Sequence, residues 1–179
     1  ATAAHSLVTL LDEYTLLAPD SLYKHVLEAA LLANAVWFAK ELKDFGDISK
    51  IILRINSPGG SVFEGLAIYN TLVSHVAEKE IHIDGLAASI ASVIAMSGKV
   101  IMPENAMMMI HDPFGLVMGD SEDMRKMAET LDKIKDSIIM AYQTKSNLEQ
   151  KDIAELMTDE TWMNGKDAKD WGFADEVIA

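Results

Sequence analysis

Four short segments of the 179-residue chain carry residue types that could do chemistry. Ser57-Pro58-Gly59-Gly60 sets two glycines between a β-branched run and a helical pattern. Backbone N–H groups exposed at the positive end of a helix suit an anion or a developing oxyanion. A tight turn with a helix cap would use the same residues. Gly60 and Gly65 have the spacing of a Walker A loop, but Leu66-Ala67 stand where Lys and Ser/Thr are required, which excludes ATP binding by that route. In Gly85-Leu86-Ala87-Ala88-Ser89-Ile90-Ala91, a serine lies at a strand–helix junction among small neighbours that leave room for a substrate carbonyl. The N–H of Ile90 would fall in the first helical turn, where it could stabilise a tetrahedral oxyanion. Alanines at 87 and 91 rule out the Gly-x-Ser-x-Gly elbow. Ser92 and Ser97, on the same expected helix, read as packing residues.

Met109-Ile110-His111-Asp112-Pro113 ends an apolar strand in a histidine, at the rim where parallel sheets collect ligands. An imidazole there could take a proton from a serine hydroxyl, or simply cap a turn. Asp159-Glu160-Thr161-Trp162 offers a carboxylate that could orient the imidazole; either Asp159 or Glu160 would serve, and such residues also commonly cap helices. His5, His25, His75 and His82 lack comparable context, and the absence of His-Glu-x-x-His disfavours a zinc hydrolase. No metal or cofactor is expected.

The elements that must position these residues are legible from Lys50 onward. Lys50–Asn56 reads as a strand, and Ser61–His75 as a helix with Val62, Leu66, Tyr69, Leu72 and Val76 at helical spacing. Ser61 and Glu64 make a capping-box pattern at its start. Glu80–Asp84 alternates as a strand, Ala87–Ser97 suits a buried helix, and Lys99–Met102 and Ala106–Ile110 read as two more strands. Repeated βαβ units of the α/β class follow, with right-handed crossovers. Met124, Met127, Leu131, Ile134 and Ile138 then mark a helix from about Asp120 to Ser146. At ~25 residues it would be ~38 Å long, so some of its apolar surface should protrude and meet another chain. Shorter helices around Gln150–Met157 and Gly165–Trp171 and a strand at Ala174–Ile178 complete the pattern. Toward the N-terminus, Asp20 or Ser21 could cap a helix running through Lys43, and Ser6–Leu17 could be strand or helix.

Composition narrows the field. Fifteen Lys+Arg against 28 Asp+Glu give a formal charge of −13, which weighs against a nucleic-acid partner. The lack of cysteine excludes disulfides, Cys-ligated zinc and a thiol nucleophile. No Lys or Arg precedes Lys24, and Ala29–Ala39 and Gly85–Gly98 are too short to span a bilayer, so a soluble, cytoplasmic, single-domain protein without a membrane partner is expected.

Taken in order, Ile55-Asn56-Ser57-Pro58-Gly59-Gly60, Gly85-x-Ala87-Ala88-Ser89, Met109-Ile110-His111-x-Pro113 and Trp171-Gly172-Phe173-Ala174-Asp175-Glu176 resemble the ClpP family of serine peptidases. The likeness is closest to the ClpP-like head-maturation (prohead) proteases of tailed phages and prophages. It covers roughly residues 40–179 and leaves the first ~45 residues unmatched. The resemblance implies a ClpP/crotonase-like fold with a protruding handle helix, Ser89 as nucleophile and His111 as general base. It further implies the N–H groups of Gly60 and Ile90 as oxyanion hole, and an acidic third member at Glu160, with Asp159 beside it. Ala91 departs from the Gly often found there. Implied partners are an unfolded or extended polypeptide substrate, further copies in a heptameric or stacked double ring, and a Clp-type ATPase or phage capsid and portal proteins. A catalytically inactive ring and a crotonase-like acyl-CoA enzyme are the competing readings. The second would leave Ser89 and His111 without a role.

Overall fold

The computed structural model describes residues 26–28 and 35–179. Its sheet runs β1 (Val26–Glu28), β2 (Lys50–Ser57), β3 (Glu78–Ala88), β4 (Lys99–Pro103) and β7 (Glu176–Ile178), all parallel. A short extension, β5 (Met107–Ile110) and β6 (Thr161–Asn164), leaves this path at β3. Helices α1 (Ala35–Asp44), α2 (Val62–Ser74) and α3 (Ile90–Ala95) supply the crossovers. Ile51, Leu53, Ile55, Ile81, Ile83 and Val100 point into the core against Phe38, Ile68, Leu72 and Ile94. The opposite sheet face is polar: Lys50 Nζ bonds Glu80 at 2.7 Å and Arg54 grips Asp84 with two hydrogen bonds. Each fully buried Ile or Leu contributes about 1.5–3 kcal/mol, so this one-sided alternation fixes the register.

Beyond the sheet, α4 (Ser121–Gln143) is followed by α5 (Gln150–Thr158) and α6 (Gly165–Asp170). Asp120 caps α4 by accepting the N–H groups of Glu122 and Asp123, while Asp123 returns a bond to the Asp120 N–H. Only Ile138, Ile139, Ala141 and Tyr142, near its C-terminal end, are buried. Ile134 also packs against the core, while the first turns of the helix are largely exposed. Met124 and Met140 are more than half exposed, and Phe114, Leu116 and Met118 just before the helix are almost fully so. No helix among the described residues is long and apolar enough to cross a membrane.

Several expectations need correction. The helix proposed from Asp20 or Ser21 through Lys43 is broken: Val26–Glu28 is a strand paired with Ile52–Arg54, and the helix there is Ala35–Asp44. Sheet pairing overrides the helical propensity of Leu27 and Glu28. Asp20, Ser21 and the Ser6–Leu17 segment lie outside the described residues. Ser61 sits at the N-cap of α2 but makes no side-chain capping bond; Glu64 instead accepts the N–H of Ala35, the first residue of α1. One carboxylate thus caps a neighbouring helix. Val76 falls past the end of α2 and is exposed. Ala87 and Ala88 belong to the end of β3, so the expected Ala87–Ser97 helix shrinks to Ile90–Ala95. Strand β6 falls where the sequence pattern places no element.

Candidate active site

The site forms where β3 changes partners. Glu80–His82 pair with β4, whereas Leu86–Ala88 pair with β5. Between them the register against β2 slips, from Ile55↔Ile83 to Ser57↔Ala87. Extra residues around Gly85 bend the strand, a local kink of the kind bulges produce. That bend carries the strand end to the mouth of α3.

Ser89 is the joint. Its backbone has φ 55° and ψ −131°, a conformation L-residues rarely adopt. Such a conformation costs of order 1–3 kcal/mol and survives only where neighbours over-determine it. Here the Ser89 N–H donates to the Met109 carbonyl at 2.9 Å, and the Ser89 carbonyl accepts from the Ser92 N–H at 3.0 Å and the Ser92 hydroxyl at 2.6 Å. The result thrusts Oγ out of the strand–helix corner to 2.7 Å from Nε2 of His111, one residue past β5. The ring of Phe114 stands edge-on to the imidazole, with centroids 5.9 Å apart.

Gly59 closes the third side. It has φ 100°, and a Cβ there would lie 2.6 Å from Ser89 Cβ and 2.8 Å from the Ala88 carbonyl oxygen. The Gly59 N–H donates to Ser57 Oγ at 3.2 Å, fixing the turn before Gly60. Gly65, inside α2, is constrained in the same way, because a Cβ there would run into Ile90 at 2.1 Å. Ile90 opens α3, so its N–H has no acceptor within that helix. A hydroxyl, an imidazole and glycine backbone thus converge from three distant stretches.

The Clp protease family model matches residues 10–179, well before the first of the motifs that resembled it. The ATP-dependent Clp protease proteolytic subunits of Streptococcus pneumoniae strains Hungary19A-6 and CGSP14 are each 34% identical over 154 residues, covering 83% of this chain and 79% of theirs. The chain belongs to the Clp protease family. It is a peptidase on that ground, with the mixed α/β fold that its sequence pattern implied.

Within this Clp protease fold, the acidic residues stand apart from the imidazole. Among the described residues no Asp or Glu oxygen lies within 4.0 Å of a His111 ring nitrogen. The antiparallel ladder from Met107↔Asn164 to Ile110↔Thr161 would, one step further, set Glu160 opposite His111. Glu160 itself has φ 49°, and its carboxylate accepts the Trp162 indole N–H at 3.3 Å. Asp159 is the C-cap of α5. The carboxylate adjacent to His111 in sequence, Asp112, is 2.7 Å from Lys135 Nζ.

Two contributors escape the sequence reading. Gly59 stands there as one of two glycines of an anion-binding or capping turn, whereas its close approach to Ser89, which demands glycine, has no sequence signal. Ser92, read as packing, is buried but bonds the Ser89 carbonyl and the Tyr142 hydroxyl, the latter at 2.8 Å. A serine three positions after a candidate nucleophile, one turn along its helix, was the available signal. Ser97 does match the packing reading, being buried with no partner for its hydroxyl.

Proposed function

We propose that the chain is a serine endopeptidase that cleaves unfolded or extended polypeptides through an acyl-enzyme. The 2.7 Å contact between Ser89 Oγ and His111 Nε2 carries this reading. As Oγ attacks the scissile carbonyl, its proton passes to Nε2 and the new C–O bond forms. The N–H groups of Gly60 and Ile90 take the oxyanion. Collapse of the tetrahedral species breaks the C–N bond, with the imidazolium returning its proton to the leaving amine. A water activated by the same imidazole then releases the acid. Glu160 is the acidic member; its place across the ladder from His111 supports that choice over Asp159. Its carboxylate turns from Trp162 to the imidazole when substrate is seated, since catalytic hydrogen bonds often tighten only in the complex. Substrate lies extended beside the segment after Gly60, held through main-chain hydrogen bonds that tolerate many sequences.

The exposed Phe114, Leu116, Met118 and Met124 form an apolar fringe that supports assembly into a homo-oligomeric ring. The names of the pneumococcal relatives, subunits of an ATP-dependent protease, support a partner ATPase for this chain too. A fluorophosphonate probe tests the chemistry. It labels Ser89 in the native chain and leaves Ser89→Ala unlabelled. A native protein that stays unlabelled in every assembly state would instead be a catalytically silent ring.

A further inference from the structure

Helix α4 reaches the site twice. Near its buried end, the Tyr142 hydroxyl is 2.8 Å from Ser92 Oγ, which in turn donates to the Ser89 carbonyl at 2.6 Å. With the Ser92 proton committed to that carbonyl, the Tyr142 O–H donates to Ser92. Burial raises the phenol above its ordinary value, which keeps it protonated and a donor. The Tyr142 ring is anchored edge-on against Phe173, with centroids 5.5 Å apart. Seven residues earlier, and so on the same face of the helix, Lys135 Nζ lies 2.7 Å from Asp112 Oδ1 and 2.9 Å from Thr158 Oγ1. Thr158 Oγ1 is 3.1 Å from Asp112 Oδ2, and the Asp112 N–H donates to the Met157 carbonyl at 3.0 Å. This second tether fastens the residue after His111 to both α4 and α5.

Folding alone gives little reason for the tether through Tyr142 and Ser92. A buried hydroxyl gains about nothing over the apolar isostere once desolvation is counted, so Phe and Ala at 142 and 92 would pack nearly as well. What a directed O–H chain adds is orientation, at the one carbonyl whose residue is held in a strained conformation. We propose that α4 is a brace for the reacting pair: Tyr142 through Ser92 holds the Ser89 peptide, and Lys135 through Asp112 holds the segment carrying His111. This inference rests on Ser89 and His111 being the reacting pair, and it adds Tyr142, Ser92, Lys135 and Asp112 as positioning residues.

The test uses the full chain and two readouts, the rate of Ser89 labelling by a fluorophosphonate and kcat and KM on a fluorogenic peptide. Tyr142→Phe and Ser92→Ala each lower kcat about tenfold, the equivalent of ~1.4 kcal/mol, while KM stays within about twofold. Because they cut one chain of bonds, the double variant is no slower than the slower single. Lys135→Met loses a similar factor and Lys135→Arg regains most of it. Ser97→Ala, which removes a buried hydroxyl just past α3, the helix that carries Ser92, without touching either tether, keeps native rates. If Tyr142→Phe fails to fold, Ser92→Ala carries the first arm. Native labelling together with unchanged rates in Tyr142→Phe, Ser92→Ala and Lys135→Met overturns the brace alone, as does a Ser97→Ala variant as slow as Ser92→Ala. A native chain that never labels removes the reacting pair, and the brace with it.

Discussion

Replacing Gly59 by alanine strikes the site through backbone alone. The new Cβ would sit 2.6 Å from Ser89 Cβ and 2.8 Å from the Ala88 carbonyl oxygen, and neither is the free end of a flexible side chain. Relieving the first contact to an ordinary carbon–carbon separation of about 3.5 Å requires a movement of about 0.9 Å. Misplacing a reacting group by about 1 Å costs about a hundredfold in rate. The conformational penalty adds to this, because φ 100° lies beyond the left-handed pocket that alanine tolerates, at about 1–3 kcal/mol. Gly59→Ala is therefore expected to slow fluorophosphonate labelling of Ser89 about a hundredfold or more, and to lower the unfolding midpoint. Gly46→Ala is the matched control. It too has positive φ, at 68°, yet a Cβ there meets nothing within 4 Å, so it should lose about 1 kcal/mol of stability and no activity. Labelling of Gly59→Ala at the native rate would refute the claim that this glycine abuts the nucleophile. So would an equal loss of activity in Gly46→Ala.

Three further outcomes follow from the same geometry. Glu160→Gln should lower kcat on a fluorogenic peptide at least tenfold while Asp159→Asn leaves it within about twofold; the reverse order would move the acidic role to Asp159. Hydrogen bonds from Lys50 and then His82 hold the Glu80 carboxyl below its ordinary value of 4.5. The stability this confers is full above that value and is lost as pH falls through the folded-state value. Glu80→Gln should accordingly flatten the acid side of a stability-versus-pH curve measured by urea unfolding, and an unaltered acid slope would count against it. Finally, sedimentation should show the native chain as an oligomer, with Met124→Glu and Leu116→Glu shifting it toward monomer; a native monomer at all concentrations would remove the ring from the reading.

What the sequence disclosed depended on the range of the interactions involved. Lys50–Ser57 and Ser121–Gln143 were legible because their apolar periodicity is local and strong. Val26–Glu28 reads locally as helix because its strand state depends on β2, more than twenty residues away. Ala87 and Ala88 favour helix by composition and became strand because Met108 and Met109 pair with them. Thr161–Asn164 carried a weak local signal, a β-branched residue beside an aromatic one, but its partner β5 lies across α4 and α5 in sequence. At the site, Ser89 and His111 stood out by type and context. The roles of Gly59 and Tyr142 did not, since one lies in what can fill a space and the other in a hydroxyl fifty residues from its partner.

The fork in β3 has a dynamic consequence. Its first half shares a ladder with β4 and its second half with β5, so one continuous backbone is a member of two hydrogen-bonded patches. Local openings that release amides to deuterium propagate through such patches as units. The amide of Ser89, which donates to the Met109 carbonyl, belongs to the smaller patch, with β5 and β6, and should exchange together with Met108–Ile110 rather than with Ile81 and Ile83. Strand β6 then acts as a selvedge: fraying at Thr161–Asn164 unravels the weave beneath the nucleophile while the main sheet stays whole.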